Sequence, residues 1–193
     1  SRALKETIGT ISRTFAMRDP YTDAHQKRVA DLAVAIGRRM GLSSDELETL
    51  HLGSLVHDIG KISVPAELLT IPRRLTKLEY QLIQTHSNQG WEILRDVDLP
   101  WPLDGIVRMH HERLDGTGYP LGLKGDEIPP LVRIVSVADV TEAMASHRPY
   151  RAGLGVPAAL DELRKGKGKA YDADVVAHTL GLFGEDGYVL PAQ

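Results

Sequence analysis

Apolar residues recur every three or four positions along most of the chain. Leu4, Ile8, Ile11 and Phe15 form one such set, and Val29, Leu32, Ala33, Ile36 and Met40 form another. That spacing gathers each set on one side of a 3.6-residue helix. No segment shows the strict alternation of a half-buried strand. Between the two sets, Asp19-Pro20 predicts a break, with Thr22 or Asp23 capping the second helix and Gly41 ending it. Ser43-Ser44-Asp45-Glu46 opens a third helix, which carries Leu47, Leu50, Leu55, Val56 and Ile59. Residues 62–65 and 71–72 read as loops. Thr76-Lys77-Leu78-Glu79 opens a helix through His86, and further helices are expected over 87–95 and 102–111. After a glycine-rich loop, Ile134, Val137, Ala138, Thr141 and Met144 mark a helix over 132–145. Segments 157–164 and 174–183 complete the set, and RKGKGK at 164–169 reads as a solvated loop. The expectation is one all-α domain over 1–193. Residues 1–15 are compatible with the end of a helix arriving from an upstream domain.

Composition narrows the chemistry. Hydrophobic residues make up 42% and aromatic ones only 5%, so the core must be aliphatic. The net charge of −3 supplies no general field for nucleic acid, so neither DNA nor RNA is an expected partner. Cysteine is absent, which excludes disulfides, zinc fingers and thiol nucleophiles. Any metal must be held by His and carboxylates. No stretch has signal-peptide or membrane-spanning length, so this segment is expected to be cytoplasmic and to make no membrane contact.

The ligand-capable residues then stand out. The stretch HHERLDGTGYP (110–120) places His110 beside His111 and adds Glu112 and Asp115 before a run of turn-formers. Elsewhere lie His25, the pair His57-Asp58, His86, and Asp139, which stands among Ile134, Val135, Val137 and Ala138. A lone buried carboxylate is costly, and a metal is one of the few partners that offsets the cost. Any one of these histidines alone reads as a packed core residue. Together, the five histidines and two aspartates point to metal. An ion with such N/O ligands takes about six, so they exceed the demand of one ion. With one bridging carboxylate they fill about eight of the twelve positions around two octahedral ions. The remainder is left for water, a bridging hydroxide and substrate oxygens, as metal-assisted phosphoester hydrolysis requires. His and Asp ligands favour Fe or Mn, with Co and Ni also compatible and Mg less suited. Lys61 lies four residues after His57, on the same face if the helix continues, where an ammonium would stabilise phosphate charge. The plainer reading of Lys61 is a surface lysine near a helix C-terminus.

HDIGK (57–61) and HHERLDGTGYP (110–120) resemble the two signatures of the HD-GYP family, bacterial phosphodiesterases within the HD metallohydrolase superfamily. DPYTDAHQKRVADLA (19–33), GDEIP (125–129), RIVSVADVTEAMASHRPYR (133–151) and KAYDADVV (169–176) resemble family segments in the same order. The resemblance implies an HD-domain helical bundle with a glycine-rich GYP loop, and hydrolysis of cyclic di-GMP to pGpG or onward to GMP. By matching position it implies His25, His57, Asp58, His86, His110, His111 and Asp139 as metal ligands, with Asp58 bridging. It places Lys61 on the scissile phosphate and Arg148 and Arg151 on the substrate phosphates. Gly118, Tyr119 and Pro120 would shape the rim, a surface to which diguanylate cyclase domains could dock. An upstream sensor or receiver domain is the expected companion.

Some positions depart from the family pattern. Thr141-Glu142 replaces a common Tyr-Asp pair, and His147 replaces an acidic residue. Members with a third ion use a glutamate four residues before the first histidine, where this chain has Tyr21, so two ions are expected. His51 and His178 match no ligand position and read as packing or surface residues. A mononucleotide phosphohydrolase is disfavoured by the GYP loop and HRPYR. A non-catalytic interaction module is disfavoured by the complete ligand set.

Overall fold

A computed structural model of the chain describes residues 2–17, 20–146 and 152–191. The long helices are α1 (Arg2–Ala16), α2 (Pro20–Arg39), α3 (Ser44–Val56) and α8 (Pro130–Ala145). Between them lie the short α4 (Ala66–Leu69), α5 (Lys77–Gln84), α6 (His86–Leu94) and α7 (Leu103–Met109). The helices α9 (Val156–Gly166) and α10 (Ala173–Gly184) follow, and short 3-10 helices cover Ile59–Ser63 and Gly125–Glu127. Among the described residues there is no strand, and extended pairing is limited to the isolated bridges Asp115–Lys124 and Lys167–Tyr171. No described helix is long and apolar enough to cross a membrane.

The aliphatic core forms where α2 packs on α3 and α8. Val29, Leu32, Ala33 and Ile36 of α2 meet Leu50 of α3, Ile106 of α7 and Ile134, Val135, Val137 and Ala138 of α8. A smaller cluster joins Ile8 of α1 to Leu52, Val56, Ile59, Trp101, Leu103 and Val107. Two helix starts are set locally. Ser43 with Glu46, and Thr76 with Glu79, form reciprocal capping boxes that satisfy N–H groups left unpaired at a helix N-terminus.

Several boundaries differ from the sequence expectation. Helix α2 begins at Pro20, so Thr22 and Asp23 lie in its first turn rather than capping it. Proline at the first helical position forfeits only an N–H that has no partner there. Helix α3 stops at Val56, which leaves His57 as its C-cap and puts Asp58 in the turn beyond. The cause is tertiary. A side chain at Gly60 would stand 1.8 Å from the His86 carbonyl and 2.5 Å from the Gly90 nitrogen, so the chain tightens against the backbone of α6. His86 opens α6 instead of closing α5. Arg164, Lys165 and Gly166 belong to α9 rather than to a loop.

Candidate metal centre

Five helices and the turn after one of them bring the predicted ligands together. His25 comes from α2, His57 from the end of α3, Asp58 from the turn after it, His86 from α6, and Asp139 from the middle of α8. His110 and His111 follow the end of α7. Their ligand atoms fall into three overlapping sets, each within 4.8 Å: Asp58 with His86, His110 and His111; His25 with His57 and Asp58; and His57 with His110 and Asp139. All these residues except the half-buried His111 are buried.

The Asp58 carboxylate divides the cluster. Its Oδ1 faces His86 Nε2 at 3.4 Å and His110 Nε2 at 3.6 Å. Its Oδ2 faces His57 Nε2 at 3.4 Å and His25 Nε2 at 3.9 Å, on the side where Asp139 Oδ1 lies 3.0 Å from His25 Nε2 and 3.5 Å from His57 Nε2. One carboxylate thus presents an oxygen to each half of the cluster.

The imidazoles are set for coordination. His57 Nδ1 donates to the Ser54 carbonyl at 2.6 Å, His86 Nδ1 to Ile83 at 2.6 Å and His110 Nδ1 to Val107 at 2.9 Å. A carbonyl can only accept, so in the neutral imidazole Nδ1 must carry the proton, which leaves Nε2 as the inward lone pair. His25 does the same through a carboxylate, its Nδ1 donating to Glu142 Oε2. His57 Nε2 is buried and has no hydrogen-bond partner among the described residues. An orphaned buried nitrogen costs stability unless something binds it. The donor set therefore fits metal ions.

Electrostatics favour positive charge at the centre. Burial alone would raise the Asp58 pKa, but His57, Lys61, His110 and His86 overrule it and hold the carboxyl well below its ordinary range. Asp139 is likewise held low against burial by His25 and His57. Burial opposes a cation on His57, yet Asp58 and Asp139 push its pKa up to about 9. Burial wins at His110, whose pKa falls to about 4, and at His111, which also falls.

Lys61 reaches the cluster by a route other than the expected one. It does not share a helix face with His57, because α3 has ended. Within the 3-10 turn its Nζ lies 2.7 Å from Asp58 Oδ2, three residues back. Arg148, Arg151 and His147 lie outside the described residues. Tyr21 is half exposed at the cleft edge. His51 is exposed, and His178 is half-buried beside Asp174 at 3.6 Å.

The GYP loop is held from below. Glu112 is buried and accepts from the Leu121 and Leu123 N–H groups at 2.6 and 2.9 Å. It anchors the loop and is not among the clustered ligands. Asp115 accepts from the Thr117 N–H and hydroxyl, a local turn contact. Gly118 lies where a side chain would stand 2.4 Å from the His111 carbonyl and 2.5 Å from the Arg113 nitrogen. Tyr119 stacks on His111 at 4.7 Å between centroids. The cluster opens into a cleft of about 700 Å³, lined by Lys61, Arg28, Tyr119, Tyr80, Arg73 and Arg74 among others.

Two contributors, Glu142 and Arg28, have roles that the sequence reading does not assign. Glu142 accepts from His25 and from Arg28 Nε at 2.6 Å, and burial, which would raise its pKa, is outweighed by His25, Ser146 and Arg28, which bring it to about 2. Its sequence signal is the spacing: it follows Asp139 by three residues in an apolar helix, as Arg28 follows His25.

A family model described as HD domain matches residues 9–175. The chain is 36% identical over 170 residues to the cyclic di-GMP phosphodiesterase response regulator RpfG of Xanthomonas campestris, covering 87% of this chain and 45% of that protein. It is 36% identical over 163 residues to 3'3'-cGAMP-specific phosphodiesterase 3 of Vibrio cholerae, covering 83% and 35%. The chain thus spans less than half the length of either relative. An HDGYP protein of Bdellovibrio bacteriovorus has a similar fold, with TM-score 0.71 at 22% identity over 84% of this chain and 52% of that one.

Proposed function

The chain belongs to the HD domain family, and on that footing we propose that it is a metal-dependent phosphodiesterase acting on a cyclic dinucleotide, cyclic di-GMP first. One observation carries the reading: Asp58 presents one oxygen to His86 and His110 and the other to His25 and His57. His25, His57, Asp58 and Asp139 would hold one transition-metal ion, and Asp58, His86, His110 and His111 a second. Tyr21 offers a phenol where a third site would need a carboxylate, so the number is two. Fe and Mn suit this ligand set best. Such ions, when bound, supply Lewis acidity toward phosphate oxygens and make water a stronger acid.

The rest is the work of side chains. Lys61, fixed by Asp58, holds an ammonium at the cleft floor, where it offsets charge developing on a phosphate oxygen. Tyr119, Tyr80, Leu68 and Leu69 offer flat and apolar surface to a base, and Arg28, Arg73 and Arg74 offer positive charge to the phosphates. Arg148 and Arg151 are assigned to the same phosphates by their place in HRPYR. We assign the GYP loop as the docking surface for diguanylate cyclase domains, and an upstream sensor or receiver domain as the regulatory input. The relatives include a cGAMP-specific enzyme, so cyclic GMP-AMP is the substrate to test beside cyclic di-GMP.

The test is to load metal-free protein with Mn(II) or Fe(II), add each dinucleotide, and separate the products. The expected result is linear pGpG or GMP from cyclic di-GMP, abolished by excess chelator. Full activity in chelator, or none in a fully loaded protein, overturns the proposal, and the second outcome would favour a non-catalytic interaction module.

A further inference from the structure

We infer that Glu142 is the positioning residue that gives the His25 half of the centre its metal affinity. The inference rests on the two-ion reading above. Helices α2 and α8 pack together and present matched pairs one turn apart: His25 and Arg28 on α2, Asp139 and Glu142 on α8. Asp139 faces His25 Nε2, and Glu142 Oε2 takes the Nδ1 proton behind it. The other oxygen, Oε1, accepts from Arg28 Nε and from the Ser146 hydroxyl, each at 2.6 Å. Glu142 is only 1% exposed, so its charge acts on these partners with little screening.

This sets His25 apart. His57, His86 and His110 rest on neutral backbone carbonyls. A carboxylate behind an imidazole raises the ligand's basicity and fixes its tautomer, and losing such a partner typically lowers metal affinity about 10- to 100-fold. The two halves of the centre are therefore unequal by construction.

Substitution by glutamine separates positioning from packing. Arg28 Nε–H can only donate, so the amide oxygen of Glu142→Gln must take the Oε1 place. The amide NH2 then faces His25 Nδ1 and forces that nitrogen to accept. The imidazole proton moves to Nε2, toward Asp139, and His25 loses the lone pair it would offer a metal. Glutamine keeps the shape and most hydrogen bonds of the native side chain, yet it imposes the wrong tautomer. Alanine leaves a void but imposes no tautomer.

The experiment titrates metal-free wild type, Glu142→Gln, Glu142→Ala and Glu142→Asp with Mn(II) by calorimetry, and records the melting temperature of each without metal. Wild type should take up two ions. Glu142→Gln should weaken one of them about 10- to 100-fold and leave the other unchanged. Glu142→Asp should restore most of the loss. Glu142→Gln should bind metal no better than Glu142→Ala while melting higher without it. This reversal of order is something a packing role would not produce. Two unchanged sites in Glu142→Gln overturn the inference alone, as does metal affinity that follows the metal-free melting temperatures across the variants. A wild-type chain that takes up no Mn(II) overturns the two-ion reading, and this inference with it.

Discussion

The floor of the cleft and its outer rim are built on opposite terms. On the floor, His57, Asp58, His86 and His110 are each 2% exposed or less, each histidine donating to a backbone carbonyl three residues back and Asp58 accepting from Lys61. On the rim, Pro72, Arg73 and Arg74 are exposed, and the neighbouring α4 buries no residue at all. Arg73 is engaged there by Glu79, at 2.7 and 2.9 Å, in an open ion pair that solvent screens. Burial makes the floor unforgiving, since an unpaired charge or donor has no water to turn to. Exposure leaves the rim free to vary. The clustered side chains thus stand where water is excluded, and the proposed substrate surface stands where substitution costs little.

That contrast orders the expected effects of substitution. Asp58→Ala should be the most severe, because one carboxylate serves both halves of the cluster. Metal content by elemental analysis and turnover should both collapse, and a variant that keeps both ions would break the bridging assignment. Lys61→Ala should lower turnover by about 10²–10³ with metal content retained, since the proposed role of Lys61 is to offset developing charge rather than to bind metal. Loss of metal comparable to that of Asp58→Ala would show that Lys61 only supports the carboxylate.

Glu112→Ala tests the junction between floor and rim. It strands the Leu121 and Leu123 N–H groups, a cost of about 1–3 kcal/mol that would appear as a lower Tm. Metal content should survive, because Glu112 stands outside the cluster. Metal loss equal to the stability loss would show that the GYP loop and the centre are one unit. Arg74→Ala should be mildest, raising KM with kcat unchanged, the pattern of a contact made equally in ground and transition states. An unchanged KM would remove Arg74 from the substrate surface.

The sequence by itself determined most of the helices, two of their N-caps and the inventory of candidate ligands. Apolar spacing marked α2, α3 and α8, and Ser43-Glu46 and Thr76-Glu79 announced their own capping boxes, because these are contacts within one turn. The run of histidines and aspartates in apolar surroundings was equally legible. Local spacing misled where distant backbone intervened. It aligned Lys61 with His57 only if the helix continued, and Gly60, pressed against α6, does not allow that. It set Glu112 beside His110 and His111 but gave it no role, and that carboxylate turns to the loop nine and eleven residues ahead. The resemblance singled out Asp58 as the bridging carboxylate, and the packing turns its two oxygens to the two halves of the cluster. The tertiary structure alone decided that Glu142 stands behind a histidine 117 residues away. The physical reason is that a side chain's chemical type is written at its own position. Its role depends on which buried donor or acceptor the packing of α2 on α8 places opposite it.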